Sequence, residues 1–227
     1  MKLFLDTANL DEIRAANDWG VLRGITTNPT LISKEHGDFL TTVKEICSIV
    51  EGDVSIETAS DSTDTLVRQG HDIAQIADNA VVKIALTPHG LSAVRKLSDE
   101  GIRVNVTLCF SATQAILAAE AGAYIISPFL GRLVDIATDG LRLLSDICEI
   151  YMVQGYDTKV LAASLRHPIH VVEAAKLGAD IATMPFKVFE MLVKHPLTES
   201  GYKTFIQDWE KARPNLGELP LSMQEDL

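Results

Sequence analysis

Residues 79–108 read NAVVKIALTPHGLSAVRKLSDEGIRVNVTL and contain the repeating unit of this chain. The two ends, Asn79–Leu86 and Arg103–Leu108, are rich in apolar and β-branched residues, and an amphipathic segment lies between them over Gly90–Glu100. Runs that are almost continuously apolar are typical of parallel strands covered on both faces. The stretch therefore predicts a strand, a helix and a second strand parallel to the first.

The same alternation recurs along all 227 residues. The predicted strands are Lys2–Asp6, Gly24–Thr27, Asp53–Glu57, Asn79–Leu86, Arg103–Leu108, Ala123–Ser127, Lys159–Ser164 and Ala179–Met184. The predicted helices are Asn9–Asp18, Asp38–Val50, Ser62–Ala77, Gly90–Glu100, Ala112–Ala121, Asp135–Val153, Ile169–Leu177 and Phe186–Lys194. Eight units of about 28 residues each predict an α/β protein with a single (β/α)8 TIM barrel. A doubly wound open sheet is the alternative, but it would usually carry a GxGxxG turn, which this sequence lacks.

An extra C-terminal helix is predicted at about Thr198–Ala212. Its aromatic residues are Tyr202, Phe205 and Trp209. They are spaced by three and four positions and so share one helix face, which would pack either on its own barrel or on a neighbouring subunit. We expect the barrel and this helix to occupy residues 1–213, and residues 214–227, an acidic segment with two prolines, to form a loose tail.

The composition narrows the class of protein. An apolar fraction of 47% excludes intrinsic disorder, and a net charge of −11 without a run of Lys or Arg argues against a nucleic-acid partner. Three scattered cysteines (Cys47, Cys109 and Cys148) are typical of a reducing compartment. No apolar stretch approaches the ~18 residues of a membrane helix, and no signal-peptide core precedes Asp6. We expect a soluble cytoplasmic protein without a membrane partner.

Polar residues gather at the carboxyl ends of the predicted strands, where barrels of this class carry their chemistry. They are Asp6, Thr26, Thr27, Asn28, Glu57, Lys83, Asn105, Thr107, Ser127, Ser164 and Arg166, with Arg132 just beyond the sixth strand. Lys83 interrupts the apolar run Ala80–Leu86, and a buried ammonium must be paired with an acid or held neutral. A neutral amine can form a Schiff base with a carbonyl. The alternative is a structural ion pair with Glu57 or Asp6.

The remaining charged residues also allow two interpretations each. Asp6 and Glu57 could move protons to and from a neighbouring amine. Alternatively, Asp6 could cap a helix and Glu57 could form an ion pair. Arg132 and Arg166, with the Ser164 hydroxyl, would suit bidentate capture of a phosphate, or the arginines could be solvated.

The histidines and Cys109 predict no chemistry. His167 and His170 lack a third ligand with metal-binding spacing, so no metal site is predicted and both are interpreted as loop or packing residues. Cys109 is interpreted as a small core residue.

Several motifs together resemble the transaldolases, in the short prokaryotic form that also includes fructose-6-phosphate aldolases. They are FLDTAN, GITTNPTLI, VVKIALT, NVTLCFSATQA, SPFLGR and ASLRHPIHV, and the resemblance runs from Lys2 to about Lys211. It implies a (β/α)8 barrel and a cofactor-free, Schiff-base transfer of a dihydroxyacetone unit between sugar phosphates. It also implies a homo-oligomeric ring, for which a decamer is one expectation, with the C-terminal helix reaching a neighbour.

The resemblance assigns a role to each matched position. Lys83 would form the imine, and Glu57, Asp6 and Thr107 would hold the water that moves protons. The hydroxyls of the three-carbon unit would be bound by Asn28, Asn105 and Ser127, with Thr27 among the substrate-binding residues. The phosphate would be bound by Arg132, Ser164 and Arg166.

Two positions distinguish the branches of the family. Phe129 stands where the aldolase branch is expected to carry Tyr, and Glu57 stands where that branch tends to carry Gln. A phenyl ring cannot protonate the enamine, so the resemblance favours a transaldolase of the non-oxidative pentose phosphate pathway. Its reaction converts sedoheptulose 7-phosphate and glyceraldehyde 3-phosphate into erythrose 4-phosphate and fructose 6-phosphate. The alternatives are an aldolase that releases free dihydroxyacetone and a non-catalytic phosphosugar-binding barrel.

Overall fold

The computed structural model describes residues 1–35 and 38–217. Its strands are β1 (Lys2–Asp6), β2 (Leu22–Thr26), β3 (Asp53–Glu57), β4 (Ala80–Ala85), β5 (Val104–Cys109), β6 (Ile125–Pro128), β7 (Lys159–Ala162) and β8 (Ile181–Met184). They are parallel and close into one barrel in chain order, with β1 paired to β8. The predicted (β/α)8 TIM barrel is therefore confirmed.

Helices connect and follow the strands. They are α1 (Leu10–Asn17), α2 (Pro29–Ile32), α3 (Phe39–Ile49), α4 (Thr63–Ala74), α5 (Pro88–Asp99), α6 (Ala112–Glu120), α7 (Leu130–Asp135), α8 (Gly140–Gln154), α9 (Pro168–Lys176), α10 (Phe186–Met191) and α11 (Pro196–Ala212). The extra C-terminal helix predicted near Thr198–Ala212 is thus confirmed as α11. Among the described residues, none of these helices is both long and apolar enough to cross a membrane.

One predicted helix was wrong. The segment 135–153, predicted as continuous, is divided between α7, which ends at Asp135, and α8, which begins at Gly140. Ala137 between them has a φ of +57°, outside the helical region. Asp139 then caps the new helix, because its side chain accepts hydrogen bonds from the backbone N–H groups of Leu141 and Arg142.

The strand register places functional residues side by side. Glu57 on β3 pairs with Lys83 on β4, and Lys83 pairs in turn with Asn105 on β5. Asp6 on β1 pairs with Thr26 on β2. Neighbours in register on parallel strands point to the same side of the sheet, so these side chains converge.

Packing inside the barrel depends on a close approach between β1 and β2. Phe4 is fully buried in a cluster with Ile125, Leu161 and Ile181. A Cβ atom on Gly24 would lie 2.3 Å from Cζ of the Phe4 ring. Gly24 therefore leaves the space that the Phe4 ring occupies.

The amino end of the barrel is closed by a polar cluster. Arg103 forms an ion pair with Asp53 at 2.5 Å, and the Tyr124 hydroxyl donates to the other oxygen of Asp53 at 3.0 Å. Lys159 Nζ donates to the Tyr124 hydroxyl at 2.6 Å. These four side chains are bound to one another, so the charged groups at this end of the barrel already have partners within the protein.

The chain divides into two compact units, Met1–Phe189 and Glu190–Leu227. The first contains the whole barrel, and the second contains α11 and a 3-10 turn at Arg213–Asn215. The predicted boundary at residue 213 and the predicted loose tail stay predictions, since residues 218–227 lie outside the described part of the chain.

Candidate active site

A cavity of about 190 Å³ opens at the carboxyl ends of the strands. It is lined by Asp6, Thr26, Asn28, Lys83, Ser127, Phe129, Arg132, Leu161, Ala163, Ser164, Arg166 and Thr183. A larger hollow of about 470 Å³ lies at the amino end around Arg103 and Tyr124, where the charged group is already paired with an acid. We therefore assign the site to the smaller cavity, which combines an amine, a carboxyl group and two guanidinium groups.

Lys83 is the buried cation of the cavity, with an exposed fraction of only 3%. Its Nζ donates hydrogen bonds to the backbone oxygen of Thr27 at 2.8 Å and to Oε2 of Glu57 at 2.9 Å. The ion pair with Glu57, one of the two interpretations of the sequence, is therefore present, and the same side chain lines the cavity. The Schiff-base interpretation stays a prediction. An ammonium group has three N–H donors, so two bonds leave one direction for a ligand.

Asp6 is held at the cavity by its neighbour on β2. The Thr26 hydroxyl donates to the Asp6 carboxylate at 2.8 Å and also lies 2.8 Å from the hydroxyl of Thr183. The surrounding protein excludes bulk water, and this desolvation raises the pKa of Asp6, although the Thr26 hydrogen bond and the charge of Lys83 lower it. The alternative of helix capping was wrong, because Asn9 caps α1.

Thr107 lies buried on β5, opposite Ala85 of β4, and is not among the residues that line the cavity. Its hydroxyl has no hydrogen-bond partner among the described residues, although buried hydroxyls normally have one. The next residue, Leu108, has a φ of +61°, and the pairing with β6 shifts register there.

Two predicted substrate-binding residues lie behind the cavity lining. Asn105 is fully buried; its amide donates to the Ser55 hydroxyl at 3.1 Å, and its oxygen accepts from the Ser127 hydroxyl at 2.7 Å. The Thr27 hydroxyl donates to the backbone oxygen of Ser55, while the Thr27 carbonyl binds Lys83. The structure therefore gives both residues the role of orienting a neighbour, Ser127 or Lys83.

The cationic end of the cavity is built on α7 and the segment after β7. Arg132 and Arg166 both line the cavity with Ser164, whose φ is +60°. A Cβ atom on Gly131 would lie 2.0 Å from the backbone oxygen of Ser164, so only glycine allows this approach. The Arg132 guanidinium lies 5.1 Å from the centre of the Phe129 ring, within the range of a cation–π interaction.

Other lining residues were missed from the sequence. Thr183 could have been found, because it is a hydroxyl in the otherwise apolar run of the eighth strand, ADIATM. Leu161 and Ala163 carry no signal that distinguishes them from core residues. Asn28 lines the cavity as predicted, and its side chain also caps α2 by accepting from the Leu31 N–H at 3.0 Å.

Glu57 and the non-catalytic candidates lie outside the lining. Glu57 reaches the cavity through its bond to Lys83. Burial raises the pKa of the Cys109 thiol to about 11, as expected for a packing residue. His167 caps α9 through a bond from the Ile169 N–H. Within residues 1–35 and 38–217, no group of three or more His, Cys, Asp or Glu side chains could hold a metal ion.

We predict that Asp6→Asn stabilises the fold near neutral pH. The pKa of Asp6 is raised above its ordinary value of 3.8, so the folded protein binds a proton more tightly than the unfolded chain. The free energy of unfolding therefore falls as pH rises above 3.8 through the folded-state pKa. The asparagine amide of the variant does not titrate, so the variant does not lose this stability. The Tm of the variant should exceed that of the wild type at pH 7.5, with a difference that shrinks toward pH 5.

Asp146→Asn is the matched control for this prediction. Asp146 is a surface carboxylate paired with Arg142 on α8, and its replacement should give no gain that grows with pH. A lower Tm for Asp6→Asn at pH 7.5, or a difference that does not change with pH, would contradict the prediction.

Comparison with known proteins extends over nearly the whole chain. Residues 3–223 match the family described as Transaldolase/Fructose-6-phosphate aldolase. A probable transaldolase from Hydrogenobaculum sp. (strain Y04AAS1) is 56% identical over 215 residues, covering 95% of this chain and 99% of the relative. Probable transaldolase 1 from Listeria monocytogenes serotype 4b (strain F2365) is 55% identical over 213 residues, covering 94% and 100%. A probable transaldolase from Aquifex aeolicus (strain VF5) is 54% identical over 211 residues, covering 93% and 97%. The chain belongs to the transaldolase/fructose-6-phosphate aldolase family.

Proposed function

We propose that this protein acts as a transaldolase in the non-oxidative pentose phosphate pathway. It moves a dihydroxyacetone unit from sedoheptulose 7-phosphate to glyceraldehyde 3-phosphate, which yields erythrose 4-phosphate and fructose 6-phosphate. The observation that carries the proposal is the buried amine of Lys83, which lines a cavity together with Asp6, Arg132 and Arg166. Three free cysteines support a reducing cytoplasmic compartment.

The first half of the reaction forms the imine. Glu57, 2.9 Å from Nζ, takes a proton from the Lys83 ammonium, and the free amine attacks the C2 carbonyl of the donor ketose. The carbinolamine then loses its oxygen as water, with the proton supplied by the carboxyl groups of the site. The unpartnered hydroxyl of Thr107 is suited to orient that water.

The second half breaks and remakes one carbon–carbon bond. Asp6 takes the proton from the C4 hydroxyl, and the C3–C4 bond breaks. Erythrose 4-phosphate leaves, and the electron pair of the broken bond stays with the three-carbon unit as an enamine on Lys83. The enamine attacks the aldehyde of glyceraldehyde 3-phosphate, and Asp6 returns the proton to the new hydroxyl. Hydrolysis of the imine frees fructose 6-phosphate. Burial raises the pKa of Asp6 above its ordinary value, which makes its carboxylate a stronger base for this proton.

The cavity lining supports the same assignment of the substrate. Asn28 and Ser127 offer an amide and a hydroxyl to the hydroxyls of the three-carbon unit. Arg132, Arg166 and Ser164 offer charged and neutral donors to a phosphate. In a chain of net charge −11, two arginines lining one small cavity favour an anionic ligand there.

Borohydride trapping tests the Schiff base. Incubation with fructose 6-phosphate and borohydride should attach a three-carbon adduct to Lys83, because reduction converts the imine into a stable amine. Peptide mass spectrometry locates the adduct. Lys159, also a lysine of a barrel strand but at the closed amino end, is the internal control and should stay unmodified. An unmodified Lys83, or retained transfer in Lys83→Met, would refute the mechanism and favour a non-catalytic sugar-phosphate-binding barrel.

A fructose-6-phosphate aldolase is the second candidate, because the family includes both activities. Phe129 decides our preference: its ring lines the cavity and carries no hydroxyl. Without a proton donor at that place, the enamine persists until an acceptor aldehyde arrives, which is the behaviour of a transferase. Rapid release of free dihydroxyacetone from fructose 6-phosphate alone would favour the aldolase instead.

We predict that Phe129→Tyr raises the release of free dihydroxyacetone about tenfold or more, since a newly introduced acid should give less than the ~10²–10⁴-fold of a fully positioned one. The measurement is dihydroxyacetone formed from fructose 6-phosphate without an acceptor. Phe110→Tyr is the matched control, because the Phe110 ring lies 5.9 Å from the Phe129 ring but does not line the cavity. No increase in Phe129→Tyr, or an equal increase in both variants, would remove the role given to the ring.

We further propose that the protein is a homo-oligomer in which α11 meets a second copy of the chain. Leu197, Tyr202 and Phe205 on this helix are large apolar residues with exposed fractions of 64–74%. Exposed apolar groups of this size on one helix favour a protein–protein contact. Phe205→Asp should therefore lower the mass measured by analytical ultracentrifugation, whereas Gln207→Asp on the same helix should not. A monomeric wild type would contradict the proposal.

A further inference from the structure

Arg166 is bound at its far end by a carboxylate that the mechanism does not use. Its Nη1 donates to Oδ1 of Asp135 at 2.6 Å, although the two residues are 31 positions apart. Asp135 is the last residue of α7, the helix that also carries Arg132. Both side chains of the pair are about half exposed, at 53% for Arg166 and 47% for Asp135.

The same helix contacts Arg166 near its other end. The position that a Cβ atom would take on Gly131 is 2.9 Å from Nε of Arg166 and 2.8 Å from the Ser164 hydroxyl. The guanidinium group of Arg166 therefore lies close to the backbone of Gly131, near the start of α7, and is bound by Asp135 at the end of that helix. Four of its five N–H donors remain after the bond to Asp135.

Arg132 is held in a different way. Its guanidinium lies over the Phe129 ring, and no carboxylate in the described part of the chain forms an ion pair with it in the structure. Arg132 therefore has the more distant Asp6 acting on its charge, whereas Arg166 forms a direct ion pair with Asp135. The two arginines of the cavity differ in what each can contribute.

We propose that Asp135 is a positioning residue that orders Arg166 for the substrate phosphate and so sets the affinity for phosphorylated sugars. This inference rests on the proposed function, in which Arg132 and Arg166 bind the phosphate. A half-exposed arginine without a partner samples many rotamers and loses that freedom when the phosphate binds. Asp135 removes part of this loss before the substrate arrives.

Asp135 also has an opposite effect, because its negative charge repels the phosphate. Solvent screens this repulsion, since both partners of the ion pair are about half exposed. The ordering effect is therefore expected to exceed the repulsion. Asp135→Asn and Asp135→Ala separate the two, because asparagine keeps the hydrogen-bond acceptor without the charge and alanine removes both.

The experiment measures transfer from fructose 6-phosphate to erythrose 4-phosphate. Asp135→Ala should raise the KM for fructose 6-phosphate about 3- to 10-fold, the cost of immobilising one long side chain, with little change in kcat. Asp135→Asn should restore most of the wild-type KM. Asp146→Ala, which breaks the surface ion pair with Arg142, is the matched control and should leave KM unchanged.

Two further measurements separate the contribution of the substrate phosphate from that of the rest of the sugar. Half-saturation of Lys83 trapping by dihydroxyacetone, which has no phosphate, should be equal in wild type and Asp135→Ala. Titration with inorganic phosphate should show weaker binding to Asp135→Ala than to the wild type. This measurement does not depend on transfer activity, so it tests Asp135 even if the wild type transfers nothing. A wild type without transfer activity would count against the proposed function alone. A KM that falls or stays constant in Asp135→Ala, or an equal loss with dihydroxyacetone, would overturn the proposal.

Discussion

The site depends on one buried ion pair, in which the Lys83 ammonium is bound by Glu57 and by the Thr27 carbonyl. An isolated ammonium inside a barrel wall would be strongly unfavourable, so the lysine needs these partners to be buried at all. The strand register supplies Glu57, because Glu57 and Lys83 are direct neighbours on β3 and β4, whereas the Thr27 carbonyl comes from the residue that follows β2. The partner that stabilises the charge is also the group best placed to remove the proton before attack on a carbonyl.

The two ends of the barrel differ in how fully their polar groups are bound by other protein groups. At the amino end, Asp53, Arg103, Tyr124 and Lys159 satisfy one another and contribute to stability. At the carboxyl end, the desolvated Asp6 has a raised pKa and the hydroxyl of Thr107 lacks a protein partner. Buried polar groups that are desolvated or lack a protein partner lower the stability of the fold, and proteins keep such groups where a ligand can use them.

The sequence predicted local features better than contacts between distant segments. Strands β1 and β3 have the predicted bounds, because apolar periodicity is a local property. The role of Thr27 could not be predicted in the same way, since its carbonyl binds a lysine 56 positions away. Asn105 and Asp135 were missed as orienting residues for the same reason. The split between α7 and α8 depends on Ala137, which has a positive φ, and an alanine in the sequence does not predict that conformation.

The segment SPFLGRLVD places the Phe129 ring in contact with both the cavity and Arg132. The ring lines the cavity together with Lys83 and lies under the Arg132 guanidinium, so one side chain makes two separate contacts. Tyrosine at this position keeps the ring face and adds only a hydroxyl, whereas an aliphatic residue would remove the cation–π contact as well. In the proposed mechanism, tyrosine in place of Phe129 would therefore change the fate of the enamine while the support of Arg132 stays in place. The two functions proposed for this ring are physically independent, so a change at position 129 can alter one of them alone.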